Sequence, residues 1–324
     1  MRIGFEIIDP SPFPVYSAAI MNQIKVYAAL LATTFLWGVS FIGTKVALTS
    51  FTPFSLIFFR FSIASFFFLL YFLWKGLPHL TKGQHMRLAL LSLFEPVLYF
   101  LFETFGLQRT TAAEASLIIA LIPAFVLLLS RLFLKESLSR IAQSGIGLSI
   151  LGIILLILGK NGIEGNIGSS IGGNLLIFGA VVSCACYTLL SRRLTQEVSS
   201  VLITAYQFFY GTAFFFPLFL LFPKVYDKGI GASALGALLF LAFGATIGAF
   251  LLYNYALSKV KAATASVFIN GIPVVTAFTG WIVLGETLKG LQLLGALVVV
   301  IGFSLTSFRT QPKDDSIHLA FTDK

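Results

Sequence analysis

Charge is scarce in this sequence: of 324 residues only 11% are Asp, Glu, Lys or Arg, while 57% are hydrophobic. A water-soluble domain carries about a quarter charged residues, so a soluble fold is excluded. Cysteine is nearly missing as well. Cys184 and Cys186 are the two, inside an apolar run, and two positions apart on a helix they point away from each other. A disulfide framework and a shared metal site are both excluded. Histidine is confined to His79, His85 and His318 in loops or the tail, no H-E-x-x-H or G-x-S-x-G occurs, and no Ser at membrane depth has a His to activate it. An intramembrane enzyme is therefore disfavoured, and neither a metal nor any other cofactor is expected. The first twenty residues hold Asp9, Pro10, Pro12 and Pro14 and lack the apolar stretch and cleavage site of a signal peptide. Residues 1–23 read as a leader, disordered or an artefact of start-codon choice, with Met21 as the alternative start.

Apolar length is what the chain has in abundance, with 35 Phe among it. Runs of roughly 20 residues, enough to cross a hydrocarbon core of about 30 Å, recur ten times: near 24–48, 53–74, 87–107, 112–134, 138–158, 173–193, 199–222, 232–257, 262–284 and 288–308. Turn and charged residues separate them, among them Thr52-Pro53, Gly76 to His85, Lys135-Glu136, Gly159 to Gly173, Pro223 to Gly231 and Gly285-Glu286. The net charge of +9 never gathers into a block of five or more cations, so it does not mark a nucleic-acid surface. It sets orientation instead. With the N-terminus inside, fifteen Lys and Arg fall on the cytoplasmic side and six on the other, with Arg60 inside a span. The positive-inside rule then predicts a multi-pass protein of the cell's inner membrane with both termini cytoplasmic.

An internal repeat is the strongest signal. Phe105 to Gly152 lies on Tyr255 to Gly302 with a constant offset of 150 and no gap, and thirteen of 48 positions are identical. Ala112/Ala262, Ala113/Ala263, Ala115/Ala265, Ser116/Ser266, Pro123/Pro273, Glu136/Glu286, Gly145/Gly295 and Gly152/Gly302 are among them. Five spans, an odd number, separate the copies, so the second enters the bilayer from the opposite side. Inverted repeats of this kind are a hallmark of secondary transporters, with substrate held near the midplane between the halves. The fold class expected is an all-α membrane protein of ten transmembrane helices in two inverted five-helix repeats. The first covers 24–158 and the second 173–308, with a linker at 159–172 and a cytoplasmic tail at 309–324.

The two segments Phe105-Gly-Leu-Gln-Arg-Thr-Thr-Ala-Ala-Glu-Ala-Ser to Ile122-Pro123 and Lys135-Glu136, and Tyr255-Ala-Leu to Ile272-Pro273 and Gly285-Glu286, resemble the EamA repeat of the drug/metabolite transporter superfamily. Trp37-Gly38 in the first span, Arg60 in the second, and Tyr187 before Arg192-Arg193 in the sixth are similar to that family too. The resemblance implies ten helices around a central cavity lined by spans one, three, four, six, eight and nine. It also implies alternating access and export of amino acids, nucleosides or related metabolites. Cys184 stands where the family often has an aromatic.

Glu95 lies about 11 residues, or roughly 16 Å, below the outer end of the third span, which is the membrane centre. A carboxyl there faces the bundle interior and is a functional-site hypothesis by default. Its readings are a protonated Glu bonded to a neighbouring helix, or a group for proton coupling or for a substrate ammonium. Pro96 follows and lacks a backbone donor, so a bend there opens carbonyls. Glu103 projects from much the same face roughly 12 Å nearer the outside, and Arg60 enters the second span at about 10 Å depth, able to reach between the two acids as a structural pair or a transport group. Tyr99 sits one turn from both acids.

Tyr253, paired with Glu103 by the offset, and Asn254 lie in the eighth span. Asn270 in the ninth has Ala120 as its mate, and an amide at that depth must find a partner, protein or substrate. Trp37 and Tyr187 are candidates for the cavity walls. Pro123 and Pro273 break their helices at the same place in each repeat and are candidate hinges. Thr111-Ala-Ala-Glu114 reads as a capping box, and Glu136 and Glu286 as acids opening spans five and ten, with Arg140 and Lys289 in reach. The expected partners are a small-molecule substrate and the lipid bilayer, with no nucleic acid and a homodimer left open. A channel or receptor is the rival reading; a channel would more naturally carry rings of like residues from symmetric subunits.

Overall fold

The computed structural model describes residues 13–76, 78–134, 167–222, 229–286 and 290–307, with scattered positions between 140 and 155. Among the described residues there is no strand, and eight helices are long and apolar enough to cross a bilayer. We label the helices α1 (Phe13–Ala47), α2 (Pro53–Lys75), α3 (Lys82–Leu107), α4 (Ala112–Phe133), α5 (Ile167–Leu194), α6 (Ser200–Leu221), α7 (Ala232–Lys259), α8 (Ala262–Leu284) and α9 (Leu291–Ser307). These are the first four and the sixth to tenth expected spans. The fifth lies for the most part outside the described residues. The tenth, α9, is a helix of 17 residues, short of the roughly 20 that span a bilayer. α1 begins at Phe13, within the stretch read as a leader. Pro14 falls in its first turn, where a missing amide costs nothing.

Helices dominate because lipid offers no partner to a backbone amide, so each segment must satisfy its own. Their starts are written in the sequence. Thr52 is extended ahead of Pro53 at the first turn of α2, and Thr81 forms a reciprocal capping box with Gln84. The Thr111 hydroxyl accepts from the Glu114 amide at 3.1 Å, and that of Ser199 from Leu202 at 3.4 Å. Gly76 (φ 95°) and Gly285 (φ 65°) end α2 and α8 in backbone conformations that other residues resist.

Four helices are interrupted, and the interruptions come in repeat-related pairs. α3 widens to a π turn at Leu93–Leu98 and α7 does so at Phe240–Gly248. Within the first, Glu95 leaves helical geometry (φ −140°, ψ 108°) and the Glu95–Pro96 peptide is cis. α4 breaks between Ile119 and Ile122 just ahead of Pro123, and α8 tightens to a 3-10 turn at Phe268–Gly271 just ahead of Pro273. Both prolines thus open the second half of a broken helix.

Packing follows the same symmetry. α1 lies on α7 and α8, as α5 lies on α3 and α4; α2 meets α7, as α6 meets α3; and α2 packs on α6 and α4 on α8. Exchanging the two repeats maps this pattern onto itself, as a pseudo-two-fold axis requires. Phe100 and Phe250, mates at the offset of 150, have their ring centroids 6.4 Å apart. Phe61 and Gly211, another such pair, are neighbours: a Cβ added to Gly211 would lie 3.4 Å from the Phe61 ring.

Close approach depends on small residues at helix crossings. A Cβ on Gly211 would lie 2.5 Å from the Pro96 ring, and one on Gly38 2.5 Å from Val275 Cβ. Neither neighbour is a flexible side-chain end. Between α5, α6 and α7 the joint is polar instead. Asn254 accepts from the Tyr187 and Ser191 hydroxyls, both at 2.7 Å, and donates to Thr204 at 2.9 Å.

Gly211→Val and Gly38→Val are each expected to destabilise the folded protein by roughly 1–3 kcal/mol through overpacking, read as a lowered melting temperature in detergent. Gly236→Ala, at a site where an added Cβ meets nothing, serves as the unaffected control. Asn254→Ala strips two buried hydroxyls of their acceptor and Thr204 of its donor, with an expected loss of about 1–3 kcal/mol.

Candidate functional site

The helix breaks in α3, α4 and α8 border a central cavity. It is lined from α1 by Trp37, Ser40 and Phe41, from α2 by Arg60, and from α3 by Glu95, Tyr99, Phe100 and Glu103. The remaining wall is Ile119 and Ile122 of α4, Cys184 and Tyr187 of α5, Phe250 of α7, and Ile269 and Ile272 of α8. Of the residues singled out in the sequence, Trp37, Arg60, Glu95, Tyr99, Glu103 and Tyr187 are brought together here. Ser40, Phe41, Phe100 and Phe250 were not anticipated, because an aromatic at helical spacing carries no sign of which face it occupies.

The lining has two parts with different origins. Trp37/Tyr187, Phe100/Phe250, Ile119/Ile269 and Ile122/Ile272 are mates at the offset of 150, so the apolar wall obeys the repeat. The charges do not. Arg60, Glu95 and Glu103 have Tyr210, Ala245 and Tyr253 as mates, and all three charged side chains come from the first repeat. Extending the offset beyond the identical segment was the signal that would have paired Trp37 with Tyr187.

Arg60, Glu95 and Glu103 are 4%, 2% and 2% exposed, so water plays little part in compensating them. Arg60 was read as able to reach between the two acids, as a structural pair or a transport group; among the described residues no ion pair to it is formed, and its Nε donates to the Thr246 hydroxyl in the π turn of α7. Its guanidinium carbon stands 4.4 Å from the centre of the Phe100 ring, a cation over a π face. Glu103 accepts from the Thr104 hydroxyl at 3.0 Å. Glu95 is less well served: its Oε2 is buried without a hydrogen-bond partner among the described residues.

Aromatic residues hold the opposite wall. Trp37 donates from Nε1 to the Ala245 carbonyl at 3.2 Å, an acceptor within the π turn of α7, where the widened turn departs from the regular ladder. Its ring packs on Phe250 and Tyr253 at 5.1 and 5.0 Å. Tyr253 lies behind the wall, stacked on Tyr187 at 6.5 Å, with its hydroxyl 3.4 Å from that of Thr188. Asn254 is likewise outside the cavity, its amide taken up by the α5–α6–α7 joint. Asn270, in the 3-10 turn of α8, is buried and does not line the cavity, and neither end of its amide has a partner among the described residues. Pro123 and Pro273 flank the cavity through their neighbours Ile122 and Ile272.

The cavity is tight, at about 20 Å³. A water molecule needs about 10–15 Å³ and a small-molecule site about 300–1,000 Å³, so a metabolite enters only if the helices part. Among the described residues no three His, Cys, Asp or Glu side chains are grouped to hold a metal.

The EamA-like transporter family model matches residues 24–158 and 171–308. An uncharacterized transporter of Archaeoglobus fulgidus is 28% identical over 288 residues, 89% of this chain and 98% of its own length. A second from that organism is 30% identical over 291 residues, covering 86% and 99%. The uncharacterized transporter YetK of Bacillus subtilis is 26% identical over 298 residues, covering 91% and 90%. A solved crystal structure with 20% identity shares the fold, with a TM-score of 0.66 over 87% of this chain and 96% of the other. With both repeats matched and eight helices of membrane-spanning length among the described residues, this chain belongs to the EamA-like transporter family and is a multi-pass membrane protein.

Proposed function

We propose that the chain is a secondary transporter that exports small metabolites carrying a cationic or zwitterionic group, such as amino acids, by alternating access. The proposal includes ten spans in two five-helix repeats of opposed orientation, set in the cell's inner membrane with both termini cytoplasmic. One observation carries it: a carboxyl oxygen of Glu95, in the middle of an apolar helix and beside a cavity, is buried without a hydrogen-bond partner among the described residues. Leaving an acceptor unmet is costly, and intramembrane acids mark ion and substrate pathways. A proton or a substrate ammonium would meet that need, and Arg60 in the same wall offers a charge of the sign a substrate carboxylate requires. The aromatic faces of Trp37, Tyr187 and Phe250 suit the apolar body of such a molecule.

The narrowness of the cavity supports alternating access over a standing pore, since the substrate must be admitted by helix movement. The paired breaks in α3, α7, α4 and α8 supply joints at which such movement is cheapest.

Glu95→Gln keeps the shape and removes the titratable charge. In proteoliposomes it is expected to lower saturable, counter-gradient flux at least tenfold and to flatten its pH dependence; unchanged flux and unchanged pH dependence would rule out the role given to Glu95. Trp37 offers a direct report of binding, because the other two tryptophans, Trp74 and Trp281, are 76% and 61% exposed on the outer surface of the bundle. In a Trp74→Phe, Trp281→Phe background, substrates found by thermal stabilisation are expected to alter Trp37 emission saturably. A stabilising ligand that leaves the emission untouched binds elsewhere.

A further inference from the structure

Glu286 belongs to the repeated motif, yet the transport reading leaves it without a task. As an acid opening the last helix it was expected to stand near Lys289, which lies outside the described residues. The carboxylate goes elsewhere. Oε1 accepts from the Ala112 amide at 3.2 Å and Oε2 from the Ala113 amide at 3.1 Å, the first two amides of α4. Lys45, near the end of α1, brings its Nζ to 3.9 Å from Oε1. Gly285 in its left-handed conformation turns the chain at this point, and the Glu286 amide donates back to the Gly280 carbonyl at 3.2 Å.

The arrangement is strong for its size. The opening amides of a helix have no acceptor within it, they form the positive end of its dipole, and a carboxylate bonded to two of them makes two charge-assisted hydrogen bonds. The tie also joins the right elements: the α8 end of the second repeat is bound to α4 and α1 of the first. Those three helices carry Trp37, Ile119, Ile122, Ile269 and Ile272 of the cavity wall. The opposite end of α1 meets the end of α7. A pocket of about 460 Å³ lies there among Asn22, Gln23, Tyr27, Tyr255 and Lys259.

We infer that Glu286 is the latch of the outer gate, its carboxylate holding α4 against α8 while the site is closed to the outside and releasing both amides when the site opens outward. The inference rests on the alternating-access reading, and it goes beyond it by naming the contact that must break. α4 and α8 each have a break, between Ile119 and Ile122 and at Phe268–Gly271, at which the latched end can swing while the other end stays packed.

Cys184 supplies the test, because it lines the cavity and its thiol reacts only when the site is reached. In a Cys186→Ser background in right-side-out vesicles, Cys184 is labelled with a membrane-impermeant methanethiosulfonate applied outside. Glu286→Gln, which loses the charge and one acceptor oxygen, is expected to raise the labelling rate about tenfold or more. Ala112→Pro removes one of the two donors at a helix position that tolerates proline and leaves the carboxylate intact, so it should give a smaller rise and keeps the test available if the first variant misfolds. Equal outside rates in parent and variants, with Cys184 reactive from the cytoplasmic face, overturn the latch alone. A thiol unreactive from both faces in every protein overturns the alternating-access reading, and the latch with it.

Discussion

A guanidinium held at membrane depth must be compensated by charge, by hydrogen bonds or by aromatic faces, and Arg60 draws on all three. Two carboxyl groups share its cavity, the Thr246 hydroxyl accepts from Nε, and the Phe100 ring lies beneath it. Because exposing such a group to lipid is expensive, α2 is obliged to lie against α3 and α7. The π turn of α7 supplies Thr246 to the guanidinium and the Ala245 carbonyl to Trp37. One buried cation thereby ties a helix of the first repeat to a helix of the second. The site at their junction exists because that cation and its neighbours have to be kept from the hydrocarbon.

Duplication and divergence contribute separately to the cavity. The repeat provides paired walls, in which Trp37 answers Tyr187, Phe100 answers Phe250, and two isoleucines of α4 answer two of α8. A shell of this sort is shared by construction between the halves and needs no ligand to explain it. The charged residues break the symmetry, since each has an uncharged mate in the second repeat. A fully symmetric cavity would present the same face to both ends of a substrate, whereas this one has a polar side and an aromatic side. That polarity fits a molecule with a charged head and an apolar body.

Much of the fold could be read from the sequence, because apolar run length and a constant offset survive without any knowledge of packing. Pro123 and Pro273 announced their breaks, and Glu95 announced itself by depth alone. What lay beyond reach was partnership. Asn254 looks like a ligand group in the sequence, yet it is consumed by Tyr187, Ser191 and Thr204 from two other helices. Glu286 was read as an acid opening its own helix, and among the described residues its carboxylate accepts from the first amides of one more than 170 positions earlier in the chain. The bond of Arg60 to Thr246 of the second repeat could not be read from the sequence either. In each case the choice is made by which helix faces come within 3 Å, and hydrophobic periodicity constrains that weakly when helices are apolar nearly all round. The early start of α1 was obscured by prolines that signal a break in a helix interior and are harmless in its first turn.

Opposed threading of the two repeats underlies the transport reading, and it is open to a direct measurement at matched points. Arg109 and Lys259 are mates at the offset of 150, both exposed, at the ends of α3 and α7. Each is replaced by cysteine singly in a chain lacking Cys184 and Cys186, and labelled with an impermeant maleimide in intact cells and in inverted vesicles. Arg109→Cys is expected to react only in intact cells and Lys259→Cys only in inverted vesicles. Reaction of both from the same side of the membrane would contradict the opposed orientation, and with it the two-sided cavity at the junction of the repeats.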